Sequence, residues 1–271
     1  MRASSGSGHD AREGGAAVEL SVEIAARPAT VWRCVTQSDL LSRWLSATVT
    51  IEARVGGAVR IDFARYGTVV AGVVEELRPA AALVFTWGVA AGPQKDAMPA
   101  GSTRVRILLS ETGTGTRVTL RHEGLPSETE RRDHAFGWTG YLGSLAGVAP
   151  LAAIDGTPES LSDAWFAAWA ETDAARRDAA IARCASEDVA FVDVHTEAHG
   201  RAALSQWMAM CQGKFPGVRV ARNGPVLHTR GALLVHWDVV TQDGKVVGRG
   251  TNCARLSFDG RLAEVLAFWQ P

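Results

Sequence analysis

The sequence predicts an α+β protein built as two successive units: a curved antiparallel sheet wrapped on one long helix, then a cone of helices on a strongly bent sheet. Three observations carry this. Segments that alternate apolar and polar residues, the period of a half-buried strand, fill much of residues 18–126 and return from residue 218 onward. Helical spacing takes over in residues 128–145 and again after residue 159. Between the two units, Pro150, Gly156 and Pro158 interrupt the periodic pattern. A chain of 271 residues with 46% hydrophobic and 21% charged side chains is long and apolar enough for one large core or two small ones.

In the first unit, VELSVEIAA alternates and puts Val18, Leu20, Val22 and Ile24 on one face. Ala29, Val31 and Trp32 open a short helical stretch, and SDLLSRWL follows with Ser38 as a cap. Six strand candidates come next: ATVTIEAR, AVRIDFA, TVVAGVVEELR, ALVFTWGV, TRVRILLSE and TRVTLRHEGL. Turns at Gly56-Gly57 and Gly113-Thr114-Gly115 separate some of them. Residues 128–145 read as a helix, although Gly137, Gly140 and Gly143 oppose it. In the second unit, SLSDAWFAAWAETDAARRDAAIARCAS is helical and VAFVDVHT is a strand. GRAALSQWMAMCQG is a further helix, and strands run from VRVARN to RLAEVLAFW with hairpin turns at Asp243-Gly244 and Asp259-Gly260. The expected organisation is a flexible tail over residues 1–17, a first domain over 18–148, a linker over 149–158 and a second domain over 159–271.

Charge is balanced, with 28 Lys+Arg against 29 Asp+Glu, so no nucleic-acid partner is expected. No stretch reaches the roughly 18 continuous apolar residues that span a bilayer, so no membrane partner is expected either. The Gly/Ser-rich start lacks the apolar run of a signal peptide. Cys34, Cys184, Cys211 and Cys253 stand apart in apolar stretches, as buried thiols of a cytoplasmic protein would. No cofactor is expected. His195 and His199 have ligand-like spacing, but HTEAH ends a strand and lacks the helical HExxH arrangement, so no metal site is expected. Composition holds one oddity, nine Trp beside only two Tyr.

Several residues are candidates for chemistry. Leu120 and His122 share a strand face, and His134 and Trp138 share a helix face at i,i+4. His122 and His134 could orient a polar ligand head in the first unit, with Trp44 and Trp87 as cavity wall; the plainer reading is a satisfied core. In the second unit, strand alternation puts Asp193 on one face with Val189, Phe191 and His195. Apolar neighbours there would desolvate its carboxylate and raise its pKa, as a general base requires. His236 and Asp238 share a face opposite Val235, Trp237 and Val239, as either an acid/base pair or a solvated outer surface.

The pieces IAARPATVW, SDLLSRWL, VGGAVRI, GVVEELRPAAALVFTW, TRVTLRHEGLP and HAFGWTGYLGSL, in this order, resemble the START-like (SRPBCC) superfamily. The resemblance is to its branch like the activator of heat-shock-protein-ninety ATPase. It implies a helix-grip fold around a cavity for a lipid, polyketide or other hydrophobic ligand, without implying co-chaperone activity. The pieces AWFAAWAETD, CASEDVAFVDV, HGRAALSQW and GRGTNCARLSFDGRLAEVLAFW resemble the SnoaL-like branch of the nuclear-transport-factor-two-like superfamily. That resemblance implies a pocketed cone that often pairs through its convex sheet, and hence a homodimer.

Ketosteroid isomerases share that second superfamily. The resemblance places their base at Asp193, and their buried neutral acid at Asn252, eight residues before Gly260. Asn252 could donate its NH₂ to a developing oxyanion. Their helix tyrosine has no counterpart: Trp165 and Trp169 occupy that helix, and Tyr66 and Tyr141 lie in the first unit, so steroid isomerisation is not expected. Three readings follow. The chain binds hydrophobic small molecules in internal cavities, with Trp165, Trp169, Phe191 and His195 among the contacts. Alternatively the second unit is a cyclase or isomerase using Asp193 and Asn252, or it is a dimerisation scaffold.

Overall fold

The computed structural model describes residues 17–270, so all of the expected tail except Ala17 lies outside the described residues. The first half holds strands β1 (Val18–Ile24), β2 (Thr48–Ile51), β3 (Ala58–Phe63), β4 (Thr68–Arg78), β5 (Ala82–Trp87), β6 (Val89–Ala91), β7 (Thr103–Thr112) and β8 (Gly115–Glu123). They form an antiparallel sheet in the order β1-β8-β7-β5-β4-β3-β2, with β6 paired to β4. Helices α1 (Pro28–Thr36), α2 (Ser38–Leu45) and α3 (Glu128–Ala152) cover one face of it. The α1 helix starts on a proline, whose missing N–H would be unpaired there anyway. Ser38 is not the cap of α2. It is the first helical residue, and its Oγ instead accepts the N–H of Ile51, 3.1 Å away, tying the helix to β2.

The α3 helix begins at Ser127, whose side chain accepts the Glu130 N–H, and carries Glu128 and Glu130 in its first turn where the helix dipole favours them. It runs past all three glycines to Ala152, further than residue 145. Trp138, Leu142, Leu145, Ala146 and Ala149 are buried along it, and that packing outweighs the glycine propensity.

In the second half, the single helical stretch expected after residue 159 is two helices, α4 (Pro158–Ala170) and α5 (Ala174–Cys184). The break falls at Asp173, whose carboxylate caps α5 by accepting the Arg176 N–H. A third helix, α6 (Gly200–Lys214), packs beside α5. The strands are β9 (Ala185–Val192), β10 (Glu197–His199), β11 (Arg219–Arg222), β12 (Leu227–Thr229), β13 (Ala232–Val240), β14 (Val246–Leu256) and β15 (Leu262–Gln270). Their order is β10-β9-β15-β14-β13-β11, with β12 paired to β13 and β15 parallel to β9. The buried Arg177 ties the three helices together. It donates to Ser205 Oγ on α6 at 3.0 Å and to the Glu171 and Thr172 carbonyls at the end of α4.

Each sheet has its own hydrophobic cluster. The α3 helix feeds both: Ala149 belongs to the first, and Leu151, the penultimate residue of the helix, packs on the second. No helix among the described residues is long and apolar enough to cross a membrane.

Candidate functional site

The inner face of the second sheet and the helices above it form a cavity of about 630 Å³ that is partly open to solvent. Alternation on β13, β14 and β15 aims Trp237, Asn252 and Ala267 into it. The α4 helix adds Trp165 and Trp169, and β9 adds Phe191, whose ring lies 6.0 Å from Trp165 and 5.4 Å from Trp169. The α6 helix contributes Trp207, Met210 and Cys211. Trp269 completes an aromatic corner, its ring edge-on to Trp237 at 4.9 Å. The walls are therefore mostly aromatic.

Two buried polar groups belong to wall residues: the Asn252 carboxamide, and the Trp207 indole N–H, which has no hydrogen-bond partner among the described residues. Asn252 is only 5% exposed, and its Oδ1 accepts the Trp237 Nε1–H at 2.8 Å. Its amide nitrogen has no hydrogen-bond partner among the described residues and is open to the cavity.

Asp193 also lines the cavity, but not as expected. It follows the last residue of β9 instead of lying within the strand, and it is only half-buried. Its Oδ1 accepts the backbone N–H groups of His195 and Thr196, at 2.7 and 2.8 Å, and so closes a turn. The expected desolvated base on a strand face is thus a turn-forming carboxylate. His195 stands next to it, exposed.

His236 and Asp238 do not reach the cavity. They lie on the outer face of β13, with Trp237 between them pointing inward. His236 Nδ1 is 2.8 Å from Thr251 Oγ1, and Asp238 accepts from Asn223 and Arg249, so they do not pair as acid and base. The same strand alternation that puts Trp237 inside puts them outside. His199, similarly exposed, faces Glu197 at 2.9 Å.

The candidates of the first half build a core instead of a cavity. The free space between α2 and the first sheet is about 10 Å³, room for roughly one water. Trp44 is buried there and donates to the Cys34 carbonyl at 2.9 Å. His122, 0% exposed, accepts the Trp138 indole N–H at Nδ1 (3.1 Å) and contacts Thr103 Oγ1 through Nε2 (2.8 Å). Thr103 donates on to the Trp87 carbonyl. Because Nδ1 accepts, the ring proton sits on Nε2, and both His122 nitrogens and the Thr103 hydroxyl are paired, whereas the Trp87 indole N–H is buried without a partner among the described residues. His134 lies edge-on to His122, centroids 4.9 Å apart, with its Nδ1 2.8 Å from the Glu130 carbonyl. Burial, and to a lesser degree His134, push the His122 pKa down to about 3. Trp44, Trp87, His122, His134 and Trp138 therefore fill the space that a ligand was expected to occupy.

Sequence reasoning missed Trp207, Met210, Trp237 and Trp269 as wall residues. The signal for Trp237 was there, since its face is opposite that of His236 and Asp238. Nothing local marks Trp207 and Met210, whose orientation depends on how α6 packs.

Comparison with known proteins adds the following. The family model described as Activator of Hsp90 ATPase homolog 1-like protein matches residues 25–149, so this part of the chain is a domain like that family's. No curated protein matches the chain. Among solved structures, a protein of the SnoaL-like family from Agrobacterium tumefaciens is 25% identical, covering 41% of this chain and 96% of that one, with a TM-score of 0.40. A protein from Mesorhizobium loti is 26% identical over 48% of this chain and 93% of its own, at a TM-score of 0.42. The Aha1 dimer from Colwellia psychrerythraea, solved in solution, is 23% identical over 48% of this chain and 92% of its own, at 0.39.

Proposed function

We propose that the second half is a receptor for an apolar small molecule of aromatic character. The observation that carries this is the cavity of about 630 Å³ with its aromatic walls and one buried, half-paired carboxamide. Such a volume falls in the range of roughly 300–1,000 Å³ typical of small-molecule sites, and mostly apolar walls with few polar groups are their usual composition. The pocket between α2 and the first sheet leaves only about 10 Å³, and the first half acts as a packed partner domain.

An anilinonaphthalene dye tests the reading, because it fluoresces only when removed from water. The parent protein binds about one dye per chain and gives strong emission. Ala267 lines the cavity, so Ala267→Phe projects a ring into the open volume and weakens dye binding by roughly tenfold or more at unchanged far-ultraviolet circular dichroism. A parent that leaves the dye dark, or a variant that binds it as the parent does, would count decisively against the proposal.

A further inference from the structure

We infer that Trp237 sets the polarity of the cavity: its indole turns the Asn252 carboxamide so that the site favours ligands bearing a hydrogen-bond acceptor, such as a carbonyl oxygen, over isosteres bearing only a donor. This rests on the cavity being a ligand site and adds the chemical class that site takes.

The device begins with a glycine. Gly250 on β14 is the cross-strand neighbour of Trp237 on β13. A Cβ at position 250 would lie 2.1 Å from Trp237 Cζ2 and 2.5 Å from the Phe268 carbonyl oxygen, so only glycine lets the indole lie across the strand. Trp269 then holds the ring from the side, edge-on at 4.9 Å. Lying across β14, the indole brings its N–H to Asn252, two residues beyond Gly250 on the same face, at 2.8 Å.

The chemistry of that contact has one solution. An indole nitrogen is a donor only, whereas a carboxamide offers an acceptor oxygen and a donor nitrogen. The atom facing Trp237 must be Oδ1, which settles an orientation that is otherwise ambiguous for asparagine. Nδ2 is left presenting its N–H groups to the cavity, with no protein partner among the described residues. A ligand carbonyl placed there pairs with it. A ligand N–H placed there meets another N–H, and two buried donors go unpaired. Asp193 also lines the cavity; its Oδ1 is engaged in the turn while its Oδ2 has no partner among the described residues, so the effect of Asn252 is read from variants at 237 and 252 that leave Asp193 in place.

Three tricyclic probes of nearly the same shape isolate this effect: 9-fluorenone carries an acceptor, fluorene neither group, and carbazole only a donor. In equilibrium dialysis, the parent binds fluorenone best and carbazole worst, with a ratio between them of roughly tenfold. Trp237→Phe keeps an aromatic ring over Gly250 but frees the amide to turn. The ratio then falls to within about twofold while fluorene binding persists. Asn252→Leu, which removes the carboxamide at similar volume, also abolishes the preference for fluorenone and retains fluorene, and it serves if Trp237→Phe does not fold. A parent that binds no fluorene overturns the receptor reading and this inference with it. Fluorene bound without a preference for fluorenone overturns the polarity alone. So does Trp237→Phe or Asn252→Leu with the parental ratio.

Discussion

His122 holds its neutral form by geometry as much as by burial. Its Nδ1 lone pair is already occupied by the Trp138 N–H, so a second ring proton has no place without breaking that bond. The folded-state pKa, about 3, lies below the ordinary histidine value of 6.5. The unfolded chain therefore binds a proton that the folded chain refuses, and the stability present above about pH 6.5 is lost as the pH falls toward the folded pKa. We expect the free energy of unfolding, measured in urea at a series of pH values, to decline by a few kcal/mol between about pH 6.5 and pH 4. His122→Gln cannot titrate. It should cost about 1–3 kcal/mol at neutral pH, through imperfect hydrogen bonds, yet show a flatter acid limb. Equal acid limbs in the two proteins would place the sensitivity elsewhere. At this scale the sequence was informative about direction and silent about partners. Period two places His122 with Leu120, but the indole that occupies it comes from residue 138 on another element, and only the packing of α3 on the sheet brings them together.

At the scale of elements, α3 shows propensity and tertiary packing in opposition. Its glycines oppose a helix, and the helix forms and continues because a row of buried side chains on one face is anchored by the first core. Two of the glycines are not needed where they stand, since a Cβ added at Gly140 or Gly147 would meet nothing within 4 Å. Each should be replaceable by alanine with a gain of about 0.5–1 kcal/mol, seen as a higher urea midpoint at unchanged slope. A loss at either position would mean that the helix needs its glycines for a contact made outside the chain. The break between α4 and α5 was equally hidden, because helical spacing runs through it. Asp173 as a cap is visible only once the chain is seen to turn there. Strand alternation, by contrast, puts Trp237 on the face opposite His236 and Asp238, and the structure turns that face toward Asn252 and Ala267 in the cavity. Whether that face meets side chains or open space depends on how far the helices stand off it, which no local pattern encodes. The first half fills the corresponding space with Trp44 and its neighbours; the second leaves about 630 Å³ open.

For the whole molecule, the hairpin around Asp259-Gly260 has a role that its sequence does not announce. As a sequence it is a turn. In the structure Asp259 makes a two-pronged ion pair with Arg27 of the first half, and Gly260 sits against the chain at Ala153, just beyond the end of α3. These two contacts differ in worth. The ion pair is about half exposed on both sides and screened by solvent, so Arg27→Ala should leave the urea midpoint nearly unchanged. Gly260 has φ +72°, and a Cβ there would come within 2.4 Å of the Ala153 carbonyl group. Backbone cannot swing aside as a side chain can, so Gly260→Ala must either strain the turn or push the hairpin off the end of α3. The second outcome would loosen residues 153–157, which lie between α3 and α4. Limited proteolysis under native conditions reads this directly: Gly260→Ala should be cut faster than the parent in that segment, and Arg27→Ala should not. If both variants resist the protease as the parent does, the hairpin is a turn and nothing more, and the halves are held together through Leu151 and its neighbours on α3.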